Sequence, residues 1–404
     1  MPTGTPLPTP VMPSPARLHP VAEVAWVFLK LGTVAFGGPA AHVALMEEEV
    51  VRRRRWVTRE EFLDLLGATH LIPGPNSTEL AIHLGLRRAG WLGLVVAGVC
   101  FIIPAALLVT AIATAYVRFG SLPDARGLLA GVQPVILAIV AQAVLGLAKT
   151  AIKNRTLALA GTIAFVASAA GASELLILFG TALAVALTRR LDTGGTRAAP
   201  LAAIALPPPT TTPVLAAGST AVLAAATASP GLWPILAIFL KIGSILFGSG
   251  YVLLAFLRTD LVESRGWITE SQLIDAIAVG QFTPGPVFTT ATFIGYLLAR
   301  TPGAVVATIG IFLPGFILVA LSGPLVPRLR RSPTAAAVLD GVNVASLALM
   351  AVVTFRLADT AIQGPWTAGL ALLAAVILTC TKLNSAWLVL AGATLGYALP
   401  HLRP

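Results

Sequence analysis

The chain has 404 residues, of which 56% are hydrophobic and only 11% charged, with a mean hydropathy of +0.87. A soluble domain carries about 25% charged residues, so this composition excludes a water-soluble globular protein and points to a polytopic membrane protein. The net charge of +10 does not mark a nucleic-acid binder, because the basic residues sit in short clusters between apolar spans, as in cytoplasmic loops of membrane proteins.

Residues 1–20 are Pro-rich, with one Arg and no apolar core, and read as a disordered tail rather than a cleavable signal. Runs able to cross a bilayer, about 20 residues each, follow near 22–45, 91–116, 127–149, 156–171 and 173–188. A linker at 189–232 contains Gly194-Gly195 and Pro207-Pro-Pro209. A second set of runs lies near 233–257, 303–325, 335–357, 366–381 and 385–400. Between the first and second run of each set, residues 60–89 and 271–299 read as two short helices joined by Pro73-Gly74-Pro75 or Pro284-Gly285-Pro286. Proline has no amide donor, and the residue before it avoids the α region. The pattern predicts a helical hairpin that enters the membrane, breaks and returns.

The two sets are copies. Phe28-Leu-Lys-Leu-Gly-Thr-Val-Ala-Phe-Gly-Gly returns as Phe239-Leu-Lys-Ile-Gly-Ser-Ile-Leu-Phe-Gly-Ser, and 28–75 matches 239–286 at 15 of 48 ungapped positions. Unrelated chains of ordinary composition give about four. A duplicated apolar unit with helix breakers at matched places is the signature of a secondary transporter. With the N-terminus outside, Arg52–Arg55, Arg87-Arg88, Lys149, Lys153, Arg155 and Arg189-Arg190 all fall on the cytoplasmic side. The uncharged-on-balance loop 258–266 then falls outside, and Arg328, Arg330, Arg331 and Lys382 inside. Five spans is an odd number, so the expected fold is all-α, with inverted repeats at 21–188 and 233–404, each of about five transmembrane helices plus a Pro-Gly-Pro broken hairpin.

Lys30 and Lys241 hold matched positions inside the first span of each half. A cation there costs about 2.5–3.5 kcal/mol on insertion scales and faces a cavity or a partner. Related by a pseudo-two-fold axis, the pair suits a dianion; the alternatives are snorkelling, or pairing with Glu23 for Lys30. Late in the same spans, Gly37 and Gly38, and Gly248 and Ser249, permit unwinding or close helix packing. At the breaks, Pro73, Gly74 and Pro75 with Asn76 and Ser77, and Pro284, Gly285 and Pro286 with Thr289, place a helix N-terminus and polar donors where an anion can bind. His42 and Glu79 are candidates to carry a coupling proton, against a packing role. His70 and His83 lie nearby, with no metal-ligand spacing. Gln133 and its counterpart Asn343 read as amides that join helices, and Asp340 as a partner for a basic loop. Cys100 and Cys380 sit in apolar runs and indicate neither a disulfide nor a metal. There is no Walker motif, nucleophile elbow or HExxH, so neither an ATPase nor an enzyme is expected, and no cofactor.

The motifs Phe36-Gly-Gly-Pro-Ala-Ala-His42, Trp56-Val-Thr with Glu61-Phe-x-Asp64, Pro73-Gly-Pro75 and Gly90-Trp-x-Gly93, echoed by Phe247-Gly-Ser-Gly250, Trp267-Ile-Thr and Gln281-Phe-Thr-Pro-Gly-Pro286, resemble the chromate ion transporter family in its long, two-domain form. The resemblance spans about 20 to 400, apart from the linker. It implies export of chromate from the bacterial cytoplasm, driven by the membrane potential or a proton gradient, and hence chromate resistance. Half two departs at Gly250 for Pro39 and at Leu253 for His42. The residues by themselves reach only an oxyanion carrier in a lipid bilayer. They leave sulfate, a channel, a membrane-embedded enzyme and a homodimer open.

Overall fold

The computed structural model describes residues 19–35, 38–70, 72–120, 123–193, 230–246, 252–322, 332–381, 383 and 385–402. Gly37, Gly248, Ser249, most of the expected linker and nearly all of the expected tail lie outside them. Among the described residues every regular element is helical.

Half one contains α1 (Pro20–Val34), α2 (Gly38–Met46, continued by a π-helical turn over Glu47–Arg53), α3 (Arg59–Thr69), α4 (Asn76–Phe119), α5 (Pro123–Ala151), α6 (Arg155–Ala169) and α7 (Glu174–Thr193). Half two contains α8 (Leu232–Ile245), α9 (Leu253–Leu257, continued by a π-helical turn over Arg258–Glu263), α10 (Glu270–Phe282), α11 (Thr290–Ser322, entered through a 3-10 turn over Val287–Thr289), α12 (Pro333–Ala361), α13 (Pro365–Cys380) and α14 (Ser385–Leu402). Small local devices recur at the 211-residue offset. Thr58 and Glu61 form a capping box, with the Thr58 hydroxyl accepting from the Glu61 amide at 3.1 Å and the Glu61 carboxylate from the Thr58 amide at 3.0 Å. Thr269 and Gln272 repeat it at 3.1 and 2.9 Å.

The first expected span of each half is not one helix. It stops at Val34 or Ile245, and a second helix starts at Gly38 or Leu253. Among the described residues four helices are long and apolar enough to cross a membrane: 76–119, 127–151, 287–322 and 333–361. Shorter apolar helices run over 155–169, 232–245, 365–380 and 387–398.

Helix α4 is not straight. Forty-four residues would reach ~66 Å, twice a hydrocarbon core, but Ala89 (φ −139°, ψ 24°) and Gly90 (φ 63°, ψ −154°) leave helical geometry. A Cβ on Gly85 would lie 2.2 Å from the Gly93 carbonyl oxygen, although residues eight apart in an unbroken helix are about 12 Å apart. The chain therefore doubles back at 89–90, with Gly85 seated on Gly93. Helix α11 does the same at Ala299 and Arg300, with Gly295 seated on Gly303. Arg300 takes φ 53° and ψ −147°, a region that glycine occupies far more readily.

The halves are interleaved. Helix α1 packs along α4, and α8 along α11, but α6 and α7 of half one pack on α12, while α13 and α14 of half two pack on α5. Glycines set the closest approaches: Gly131 of α5 meets Gly392 and Gly396 of α14, and Gly341 of α12 meets Ala182 of α7. Helices α4 and α11 pack against each other between these groups. Ion pairs pin the periphery. Asp340 accepts from Lys153 at 2.7 Å and from Arg189 at 2.5 Å, so it does pair with basic residues of the other half. Glu23 accepts from Arg54 at 2.8 Å, Arg88 at 2.6 Å and the Trp56 indole at 3.2 Å.

Candidate functional site

The breaks in the first spans and the Pro-Gly-Pro breaks come together. Ala35, just past α1, leaves the helix at φ −81°, ψ 90°, and Leu246, just past α8, does so at φ −75°, ψ 109°. The Gly285 amide donates to the Ala35 carbonyl at 3.0 Å, and the Gly74 amide donates to the Leu246 carbonyl at 2.6 Å. Each Pro-Gly-Pro motif thus satisfies the broken helix of the other half, and the two bonds are related by the same 211-residue offset. Gly285 and Gly74 hold φ of 91° and 139°, where a Cβ is strained. Space is also absent: a Cβ on Gly285 would lie 2.8 Å from Ala105 Cβ and 3.2 Å from the Gly32 carbonyl oxygen.

His42 completes the crossing on the side of half one. It is buried, with Nε2 3.1 Å from the Ala35 carbonyl and Nδ1 3.2 Å from the Ser77 hydroxyl. A carbonyl only accepts, so Nε2 carries the proton, and in the neutral ring Nδ1 accepts from Ser77. Phe101 packs edge-on against the imidazole, with ring centroids 5.6 Å apart. The histidine therefore ties the end of α1 to the first turn of α4.

That first turn is rich in polar groups. The amides of Asn76 and Ser77 begin the helix and have no intrahelical acceptor, and the helix dipole favours negative charge beside them. Asn76 Nδ2 lies 3.0 Å from His70 Nδ1. The Asn76 amide oxygen, the Thr78 hydroxyl and both Glu79 carboxyl oxygens are buried without a hydrogen-bond partner, as is Nε2 of His83 one turn further on. Glu79 is fully buried and lies over the break: a Cβ on Gly74 would sit 2.2 Å from its Oε1, and one on Gly315 of α11 would sit 3.7 Å from it. Half two is quieter. Thr289 and Thr290 donate to the Pro286 and Val287 carbonyls, each at 2.8 Å, and Thr290 stands 211 positions after Glu79.

The lysines sit in ion pairs. Lys30 Nζ is 3.2 Å from Glu49, and Lys241 Nζ is 2.8 Å from Asp260. The acids are buried, while the lysine side chains are 41% and 42% exposed. Glu49 also accepts from Arg54 at 2.9 Å. Burial works against the Glu49 charge, yet the bonds from Arg54 and Lys30 outweigh it and hold the carboxyl below its usual value. Glu23, the alternative partner for Lys30, is taken by Arg54 and Arg88. Glu49 and Asp260 were missed as partners, though a signal existed: each follows its lysine by 19 residues, so the duplication keeps acid and base together. A third cluster joins the halves elsewhere. Gln133 donates to Asp275 at 3.0 Å and to Ser271 at 2.7 Å, and the Tyr116 hydroxyl donates to Asp275 at 2.8 Å. Gln133 thus joins helices, as expected of a buried amide.

Among the described residues no group of acids, histidines and cysteines could hold a metal ion. The sequence profile "Chromate transporter" matches residues 22–187 and 233–397. A chromate transport protein of Cupriavidus metallidurans is 32% identical over 395 residues, covering 96% of each chain. One of Pseudomonas aeruginosa is 32% identical over 380 residues, covering 92% of this chain and 90% of its own. No solved structure matches the chain. The same profile fits both halves, the relatives run nearly end to end, and the chain belongs to the chromate transporter family.

Proposed function

We propose that the chain is a secondary active transporter that exports chromate across the cytoplasmic membrane of a bacterium and so confers chromate resistance. The observation that carries this reading is the reciprocal pair of bonds from Gly285 to Ala35 and from Gly74 to Leu246. Two copies that complete each other across a shared break are what an inverted repeat needs at its substrate site. On this reading 60–89 and 271–299 are re-entrant hairpins, and their irregular backbone is tolerable because the opposite half satisfies it.

The oxyanion binds where the breaks meet. The first-turn amides after Pro75 and Pro286, with the side chains of Asn76, Ser77 and Thr289, supply donors in place of its hydration shell. The glycine amides of Gly74 and Gly285 are engaged across the halves in this conformation, so rocking one repeat against the other exchanges protein carbonyls for substrate oxygens at the same donors. Gly37, Gly38, Gly248 and Ser249 join this set by their places in the sequence, late in each first expected span. Lys30 and Lys241, each balanced here by its own acid, lend positive charge as the repeats move.

Uptake of radiolabelled chromate into inverted vesicles, with sulfate as competitor and with or without a protonophore, tests this reading. Saturable uptake that collapses with the gradient is expected. A non-saturating ionic current would overturn the carrier, and stronger uptake of sulfate than of chromate would overturn the substrate.

A further inference from the structure

Glu79 is a fully buried carboxyl in the first turn of a long helix, and neither oxygen has a hydrogen-bond partner among the described residues. It lies against Gly74 of the break on one side and Gly315 on the other. We propose that Glu79 is the proton site through which the oxyanion and a proton bind together, one proton with each dianion. This rests on the oxyanion reading of the breaks.

A fully deprotonated oxyanion brings only acceptors, so everything facing it must donate. The first-turn amides and the Thr78 hydroxyl can donate, but an ionised Glu79 cannot. It would also set a like charge beside a dianion in a medium that screens poorly. Protonation removes that charge and turns the carboxyl into a donor. Its surroundings offer no other way to neutralise it. His83 is on its own helix, one turn along. From α2, His42 is held by Ala35 and Ser77, and from the end of α3, His70 contacts Asn76. From α1, Lys30 is committed to Glu49, and from α10, Asp275 is bonded to Tyr116 and Gln133. Helix α11 presents Gly315 here, and its own charged residue, Arg300, stands at its kink. Half two has Thr290 at the offset position, so the expected number is one proton, not two. The complex that crosses the membrane then carries one negative charge rather than two.

Detergent-purified full-length protein, titrated with chromate in weak buffer with a pH indicator at steps from about pH 7 to about pH 10, tests this. Uptake should rise towards one proton per chromate bound as the pH passes the carboxyl's pKa in the free protein, with affinity falling up to tenfold for each pH unit beyond it. Glu79→Gln, fixed in the neutral form, should take up no proton at any step, bind more tightly than the parent at the alkaline end and lose the pH dependence. His83→Gln should keep the proton uptake. The proposal is overturned if the parent takes up no proton at any pH in the series, if Glu79→Gln takes up as many as the parent, or if His83→Gln abolishes uptake. A folded Glu79→Gln protein that no longer binds chromate would also overturn it, since the ionised carboxylate would then be what the site requires. A parent that binds no chromate at all would instead overturn the oxyanion reading, and this proposal with it.

Discussion

Replacing Gly285 with Ala puts a single methyl group where three backbones converge. At φ 91° a non-glycine residue costs about 1–3 kcal/mol. The methyl would lie 2.8 Å from Ala105 Cβ and 3.2 Å from the Gly32 carbonyl oxygen, and overpacking of that kind costs about 1–3 kcal/mol. Any shift that relieves the contact stretches the Gly285 to Ala35 bond of 3.0 Å, worth about 0.5–1.5 kcal/mol. That last loss is softened because His42 still donates to Ala35. Strain and overpacking together give an expected destabilisation of about 2–6 kcal/mol, a large fraction of a typical folding free energy of about 5–15 kcal/mol. Thermal unfolding of the purified protein in detergent reads it, and oxyanion flux in vesicles should fall with it. The components separate: Gly285→Ala with Ala105→Gly recovers the contact but not the backbone strain. Gly90→Ala, at φ 63° with open space around its Cβ position, carries only the strain. A Gly285→Ala protein that melts and transports like the parent would refute the reasoning.

Three further outcomes can be checked. Arg300→Gly, which gives α11 the residue that α4 has at its fold-back, should stabilise the protein by about 1–3 kcal/mol by removing strain, read as a higher melting temperature. Glu49→Gln should destabilise by about 1.5–3 kcal/mol, the range for hydrogen bonds to a charged group. Because the Glu49 carboxyl is held below its usual value, its contribution is complete above that value and lost as the pH falls through the lowered one, so the variant's acid unfolding limb should be flatter than the parent's. Reporters fused in the 46–59 and 258–270 loops should read cytoplasmic and external respectively; the same side for both would remove the inverted repeat.

The duplication was legible because it is written in identities, and so were the helix boundaries that follow from proline. The fold-backs at 89–90 and 299–300 coincide with the ends of the expected short-helix segments. The break after Ala35 was half legible: Gly37, Gly38 and Pro39 follow it, but small residues suit close helix packing as well as unwinding, and hydropathy registers burial, not whether backbone bonds continue. Glu49 is hidden for a similar reason. Glu47-Glu48-Glu49 beside four arginines looks like a solvated helix with local pairs, and Glu48 does pair with Arg52 and Arg53. The matched 19-residue spacing points to Glu49 as the partner of Lys30, and the π-helical turn buries it there. The two bonds at the crossing, from Gly285 to Ala35 and from Gly74 to Leu246, were invisible, because their acceptors are main-chain carbonyls, which leave no mark in a sequence.

Those main-chain bonds also set an order of events at the ribosome. The Gly74 amide finds its acceptor only when Leu246 has been made, and the Ala35 carbonyl only when Gly285 has been made. From Gly74 to Leu246 is 172 positions (246 − 74), about 9–34 s of synthesis at roughly 5–20 residues per second. Throughout that interval the nascent first half holds an unmated donor and an unmated acceptor within the membrane. Water, lipid headgroups or an insertion factor must occupy them until the second half arrives, so the polar gap at the centre of the molecule exists before there is a complete protein to use it.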